Sequence, residues 1–213
     1  MNELERLLAG TAGGSGGSFP QASEDAGDLA MQRLRTALAS RAQQLNLLDV
    51  AYRTIDTPVG QLLLAATPAG LVRVAYTRGD YDAVLTALAG QISPRVLFAP
   101  GRLDDAARQF DDYFARRRRS FDLPIDLRLS HGFRRTVLEH LPEVGYGRTV
   151  SYGELAGQVG SPRAARAVGS ACATNPLPLV IPCHRVVLGD GSPGGYVGGP
   201  NVKRVLLSLE RAQ

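Results

Sequence analysis

Ser151-Tyr-Gly-Glu-Leu-Ala-Gly-Gln-Val-Gly-Ser-Pro-Arg-Ala-Ala-Arg-Ala-Val-Gly-Ser-Ala-Cys-Ala-Thr174 reads as two short helices joined by a tight turn. Ser151 and Glu154 have the spacing of a capping box, in which hydroxyl and carboxylate satisfy first-turn amides of a helix reaching about Val159. Gly160-Ser161-Pro162 breaks that helix, and Ser161 with Pro162 is expected to cap a second one from Arg163 to about Thr174. The pair predicts a helix-turn-helix. Ala164, Ala165, Ala167, Gly169, Ser170, Ala171 and Ala173 give the second helix almost no side-chain bulk, while Arg163 and Arg166 stand three apart on one side. Such a helix either packs tightly in a core or lets its backbone approach a partner. Spacing alone leaves both readings open, because helix-turn-helix geometry also occurs in proteins that never touch DNA.

The next residues, Asn175-Pro-Leu-Pro-Leu-Val-Ile-Pro-Cys-His-Arg-Val-Val187, carry one of only two cysteines. Leu179-Val180-Ile181 reads as a short buried strand or extended segment, and Pro182 suits the start of a following turn or helix that holds Cys183 rigidly. A thiol attacks only as the thiolate, and free cysteine near its ~8.5 pKa is mostly protonated at neutral pH. A reactive one therefore needs a base or a positive charge beside it, and His184 and Arg185 supply both in sequence. A cysteine after an apolar run is usually a plain core residue. This neighbourhood reverses that expectation.

Upstream the pattern changes from helical to strand-rich. Val50-Ala-Tyr-Arg-Thr-Ile55, Gln61-Leu-Leu-Leu-Ala-Ala66 and Gly70-Leu-Val-Arg-Val-Ala-Tyr76, separated by the turns Thr57-Pro-Val-Gly60 and Thr67-Pro-Ala-Gly70, predict a three-stranded antiparallel meander. Helices are expected from Tyr81 to about Gln91 and from Leu103 to Arg117, the second with Leu103, Ala107, Phe110 and Phe114 on one face. Arg116-Arg-Arg-Arg119 then suits either a cation-bearing helix C-terminus or a contact with DNA phosphates. Phe121-Asp-Leu-Pro-Ile-Asp-Leu127 is extended and proline-interrupted, and Gly132 to Leu141 begins the helical second half. The expected fold is α+β: a flexible Gly/Ser-rich extension at 1–27, a helical lead-in at 28–47, a small α/β domain at 48–127, and a mainly helical domain at 128–213.

Composition narrows the class. With 213 residues, 44% of them hydrophobic, the chain can bury a real core, and no run approaches the ~18 apolar residues of a membrane span. Its start has acids where a secretory signal has basic residues, so the expected compartment is the cytoplasm. Cys172 and Cys183 are read as reduced thiols, and with His131, His140 and His184 they show no metal spacing, so neither metal nor cofactor is expected. The net charge is +4, and from Leu127 onward ten cations face five acids, so the cationic excess sits wholly in the second half. A polyanionic partner is consistent with that distribution.

Pro182-Cys-His-Arg185, with Tyr152, Arg166, the Asn175-Pro-Leu-Pro178 turn, Gly194-Gly-Tyr-Val-Gly-Gly199 and the Lys203 to Glu210 helix, closely resembles the O6-alkylguanine-DNA alkyltransferases. The match runs in order from about Phe133 to Glu210, and residues from about 47 to 127 are similar to that family's variable N-terminal domain. The resemblance does not extend to the first 46 residues. The resemblance implies direct, irreversible transfer of a methyl or longer alkyl group from O6 of guanine in double-stranded DNA to Cys183. His184 is then expected to take the thiol proton through a water, Glu210 to orient that histidine, and Asn175 to hold the helix-turn-helix against the active segment.

A stacked base cannot present O6 to a buried thiol, so the nucleotide must be flipped out. By resemblance Arg166 fills the gap, Tyr152 presses on the 3′ phosphate and donates to the base, and Ala167 and Ser170 lie against the minor groove. Ser151, Arg163 and Arg135 complete the implied DNA contacts, and Val180, Tyr196, Val197 and Gly198 line the base pocket with Tyr152. Pro193, Val197 and Pro200 depart from the family's usual residues, with consequences for pocket width. A monomer that binds DNA, with cooperativity an open question, is the expected form. The rivals are a non-catalytic alkyltransferase-like lesion binder, which lacks the acceptor cysteine; a cysteine hydrolase using Cys183, His184 and Glu210; and a helix-turn-helix regulator with a structural cysteine.

Overall fold

Leu62-Leu-Leu-Ala-Ala-Thr67 is buried along its whole length, so this strand must be covered on both faces. The computed structural model describes residues 30–31, 33–34, 37–39, 41–42, 45, 47–76 and 81–211. Residues 39–213 form one compact unit, described here; in the lead-in, residues 30–31, 33–34, 37–39 and 41–42 are helical, and the Gly/Ser-rich extension lies outside the described residues.

Strand β1 (Val50–Ile55) pairs antiparallel with β2 (Leu62–Thr67), which pairs antiparallel with β3 (Gly70–Tyr76), as the meander predicts. Successive side chains on a strand face opposite ways, and β2 divides accordingly. Leu63 and Ala65 join Val50, Val72 and Leu88 of helix α1 (Asp82–Gln91) on one face. Leu62, Leu64 and Ala66 face the main core with Phe110 and Tyr113 of α2 (Asp104–Phe114), Val137, Leu138, Leu177 and Cys183. Each fully buried leucine is worth roughly 1.5–3 kcal/mol of transfer free energy, so this two-sided strand organises the fold.

The sheet has a fourth strand that the sequence pattern does not reveal. β4 (Val96–Phe98) lies parallel to β1, with Val50 opposite Val96, so the order is β3-β2-β1-β4. Parallel neighbours need a crossover, and α1 supplies it. Three residues after Ser93-Pro94 are too few to show a period of two.

The outer edge of β3 is covered rather than left open. Leu71 N–H donates to the Pro124 carbonyl (2.8 Å), Asp126 N–H to the Leu71 carbonyl (2.8 Å), and Val74 N–H to the Pro176 carbonyl (2.8 Å). Asp126 also accepts from the Thr67 hydroxyl at 2.6 Å. One strand edge therefore carries both the 124–126 segment and the turn that precedes Cys183.

Helix α2 ends in a left-handed residue, Arg116 at φ 59°. The arginine run behind it folds back on the chain: Arg117 donates to Asp112, Arg118 to the Ser120 carbonyl, and Arg119 lies 5.8 Å from the Tyr146 ring centroid. The expected face is corrected in detail, since Leu103 sits in a preceding 3-10 turn, Pro100–Leu103, and Tyr113 is the fully buried aromatic while Phe114 is half-buried.

The second half packs α3 (Gly132–His140), α4 (Tyr152–Gln158), α5 (Ala165–Ala173) and α6 (Pro200–Arg211) around Val137, Leu155, Val168, Ala171 and Leu206. Two-residue strands β5 (Val150–Ser151) and β6 (Val186–Val187) pair in parallel. The capping box is formed: Glu154 N–H donates to Ser151 Oγ (3.2 Å) and Ser151 N–H to Glu154 Oε2 (2.7 Å). The second cap is not. α5 starts two residues later than expected, its N-cap is Ala164 with no side-chain hydrogen bond, and the turn is closed by Ala164 N–H on the Ser161 carbonyl (2.8 Å). A backbone turn does the work assigned to the Ser161 hydroxyl.

Gly70 has φ +142°, and a Cβ there would stand 2.3 Å from the Pro124 carbonyl oxygen. Gly70→Ala is expected to lower stability by roughly 3 kcal/mol, because both conformation and space forbid the methyl. Urea denaturation checks this, and an unchanged midpoint would mean that the 124–126 segment moves aside without cost.

Candidate active site

Asn175 builds the turn before the cysteine. Its side-chain oxygen accepts from Leu177 N–H (2.9 Å), and its amide nitrogen donates to the Ile181 carbonyl (2.9 Å) and to Cys183 Sγ (3.1 Å). Residues 179–181 are not a strand. Leu179 takes φ 75°, Pro178 and Ile181 form an isolated bridge, and Ile181 N–H donates to the Leu177 carbonyl at 2.8 Å. Three prolines and one amide side chain hold this loop, which the apolar pattern alone makes look extended. Cys183–Arg185 then forms a 3-10 turn with Pro182 at its N-cap.

Cys183, His184, Arg185, Lys203 and Glu210 are all buried, an unusual density of ionisable groups. Glu210, on α6, is their hub. Its carboxylate accepts from Tyr113 Oη (2.8 Å), His184 Nε2 (2.9 Å), Gly147 N–H (3.1 Å), and Arg185 through Nη2 (2.9 Å) and Nε (3.0 Å). Arg185 Nη1 is spent on the Val144 carbonyl at 2.6 Å. Burial by itself raises a carboxyl pKa, but His184 and Arg185 outweigh it and hold Glu210 down at about 2.

Facing an ionised carboxylate, His184 Nε2 carries the proton and Nδ1 is the acceptor. Nδ1 is buried and has no hydrogen-bond partner among the described residues. Burial lowers the His184 pKa, and Glu210 opposes that only in part, so the ring is neutral at rest. Burial likewise pushes the Cys183 thiol up to about 11, against weaker help from the Asn175 hydrogen bond and Lys203. The resting pair is a neutral thiol and a neutral imidazole. Arg185, expected to supply charge to the thiol, is committed to Glu210 instead, and the cation that favours the thiolate is Lys203.

Lys203 donates to the Val186 carbonyl (2.5 Å) and the Gly195 carbonyl (3.1 Å) and lies 5.9 Å from the Tyr152 ring centroid. Tyr152 is half-buried at the start of α4, in contact range of Gly169 on α5 and Gly194 in the following loop. Arg163, Arg166, Ala167 and Ser170 are exposed on or beside α5, so the small-residue helix presents them to solvent. Ser151 is engaged in its capping box, and Arg135, on α3, pairs with Glu139 at 2.8 Å. Tyr196 packs edge-on to His184, with centroids 6.3 Å apart. Val180 and Gly198 are half-buried, whereas Val197 is 41% exposed.

Sequence reasoning missed Tyr113 and the role of Lys203. Lys203 and Glu210 are two turns apart on α6, on the stripe that buries Leu206 and Leu207. Charges on an apolar helix face were the available signal.

A buried thiol, imidazole and carboxylate lie in the half of the chain that carries two short helices joined by a tight turn. The 6-O-methylguanine DNA methyltransferase descriptions match in two parts, the ribonuclease-like domain at residues 50–127 and the DNA binding domain at 132–212. The chain belongs to the 6-O-methylguanine DNA methyltransferase family. It is 40% identical over 164 residues to the methylated-DNA–protein-cysteine methyltransferase of Mycobacterium tuberculosis, covering 77% of this chain and 94% of that one. The crystal structure of the M. tuberculosis O6-methylguanine methyltransferase matches with a TM-score of 0.68 at 40% identity, over 76% of this chain and 93% of that chain. A structure of M. tuberculosis OGT in complex with DNA matches at 39% identity and a TM-score of 0.67, over 76% and 93%.

Because Glu210 titrates near 2 when folded and near 4.5 when free, its stabilisation is complete above about pH 4.5 and is lost as pH falls toward 2. His184, whose pKa is lowered by folding, acts in the same direction below its ordinary 6.5. Glu210→Gln is expected to cost about 3–5 kcal/mol at pH 7 by leaving Arg185 buried and unpaired, and to flatten the loss of stability between pH 5 and 3. Denaturant titrations at several pH values check both, and a variant with the wild-type acid slope would shift the effect to other carboxylates.

Proposed function

We propose that this protein repairs DNA by moving the alkyl group of O6-alkylguanine onto Cys183, once per molecule. The observation that carries the reading is the buried row Asn175–Cys183 and His184–Glu210, in which a hydrogen-bonded thiol is followed by an imidazole whose free nitrogen is an acceptor. Family membership gives the same reaction independently.

In this reading a water carries the thiol proton to His184 Nδ1, and Glu210 stabilises the imidazolium through Nε2. The sulfur attacks the alkyl carbon, an S–C bond forms as the O6–C bond breaks, and the electron pair leaves on guanine. A proton delivered to the base balances the one taken from the thiol. Lys203 and the Asn175 amide favour the thiolate as it develops. The product is a thioether with no good leaving group, so neither His184 nor water regenerates Cys183, and the protein is consumed.

Access to O6 requires the nucleotide outside the stack, at a cost of a few kcal/mol for unstacking. The exposed row Arg163, Arg166, Ala167 and Ser170 supports a minor-groove approach, with Arg166 filling the gap and Tyr152, between α5 and the 194–199 loop, turning the phosphate and meeting the base. Ser151 and Arg135 flank that surface in the proposal, while Val180, Tyr196, Val197 and Gly198 border the base pocket. We divide the chain at residues 127 and 128, which the two family matches support. Among the described residues no helix is long and apolar enough to cross a membrane. A monomer working on DNA in the cytoplasm fits a reaction that needs one thiol and no second subunit.

Incubation with a duplex containing O6-methylguanine should add a single methyl to Cys183, located by peptide mass spectrometry, and restore one guanine per protein. An unmodified protein that still binds the lesion would replace transfer by mere recognition. Arg166→Ala should slow transfer on duplex DNA at least tenfold more than on free O6-benzylguanine, since about 1.4 kcal/mol of gap filling is at stake. Equal slowing on both would remove the finger role.

A further inference from the structure

The 194–199 loop is rich in glycine, and contacts along its length hold it. Gly195 is tied by its carbonyl to Lys203 at 3.1 Å. Gly194 lies against Leu188 and the Tyr152 hydroxyl, which would stand 3.3 Å and 3.7 Å from an added Cβ. A further hold comes from the other half of the molecule: Tyr76, the last residue of β3. Its hydroxyl is 3.0 Å from the Tyr196 hydroxyl, its ring meets the Tyr196 ring edge-on at 5.8 Å and 74°, and the same ring would be 2.8 Å from a Cβ on Gly198.

Tyr196 is therefore held between two rings, Tyr76 on one side and His184 on the other. Neither phenol ionises near neutrality, because burial raises both, and Tyr196 lies against the ring of the residue that follows Cys183. Neutral hydroxyls in this half-buried position keep their mutual hydrogen bond, because breaking it gives up a net contribution of about 1 kcal/mol. The glycines on either side lack that stiffness.

Resting on the reading of Cys183 as alkyl acceptor, we propose that Tyr76 is a positioning residue that sets substituent selectivity. By fixing Tyr196 and Gly198 it holds the pocket wall at a set distance from the thiol, so it limits the O6 groups that reach Cys183. It acts through Tyr196, without touching the reacting atoms, and it makes the N-terminal sheet part of the specificity of a site whose thiol, imidazole and carboxylate come from the C-terminal half.

The test measures second-order rate constants for Cys183 alkylation by O6-methylguanine and O6-benzylguanine in the same duplex, for wild type, Tyr76→Phe and Tyr76→Leu. The benzyl-to-methyl ratio is independent of the fraction of active protein, so a general loss of stability does not move it. Tyr76→Phe keeps the ring and the packing and should raise the ratio roughly fivefold, the equivalent of one lost hydrogen bond. Tyr76→Leu should raise it further. If the ratio stays at the wild-type value in both variants while the two constants change together, Tyr76 only stabilises the fold and the proposal is overturned. If wild-type Cys183 gains no alkyl group from either duplex, the transfer reading fails and this inference falls with it.

Discussion

A carboxylate with almost no solvent contact, that of Glu210, ties the site together, and much of the site depends on keeping it charged. Removing Glu210 and Arg185 from water is costly, and only dense hydrogen bonding makes such a pair tolerable. Arg185 provides a forked partner, Tyr113 and Gly147 fill the remaining acceptor sites, and His184 takes a share. These donors come from α2, the loop before β5, and the turn after Cys183, so satisfying one charge draws distant segments together. The stability of the core and the orientation of the imidazole are the same interaction.

That interaction also limits how basic His184 can be. With Arg185 neutralising much of Glu210, the carboxylate orients the ring more than it charges it, and burial leaves the imidazole neutral. The Cys183 thiol is protonated for the same reason. Neither group is strongly perturbed toward reaction at rest, in contrast to a pre-formed thiolate–imidazolium pair. Reactivity then has to arise when a bound electrophile lets negative charge leave the sulfur as the proton moves away.

The sequence was informative where its signals are local. Ser151 and Glu154 sit three residues apart and define their own helix start, and the meander is bounded by turns that need only four residues to recognise. Cys183, His184 and Asn175 lie within ten residues and are brought together by prolines. Long-range partners left no such trace. Tyr113 reads as one aromatic on an apolar helix, Tyr76 as the end of a strand, and nothing local says that they meet Glu210 and Tyr196 across 97 and 120 residues. Arg185 departs from expectation for a related reason: adjacency in sequence suggests a role beside the thiol, whereas in a 3-10 turn consecutive side chains point in different directions. The expected Ser161 cap failed because a backbone carbonyl at the same residue closes the turn equally well.

A thiol that is spent in one reaction makes different demands from one that turns over. Any oxidation or stray alkylation removes a whole protein molecule, so the resting sulfur gains from being unreactive. Burial achieves this by pushing Cys183 up to about 11, which keeps the thiolate fraction near neutrality small. On the proposed mechanism, the cost is that a proton path through His184 opens only when the correct electrophile is in place. On the proposed role of Tyr76, a wall held from the N-terminal sheet answers the same demand, because it sorts substituents before they reach the sulfur. Burial, the neutral imidazole and the held wall all trade speed for protection of the single acceptor, the order of priorities suited to a protein that acts once.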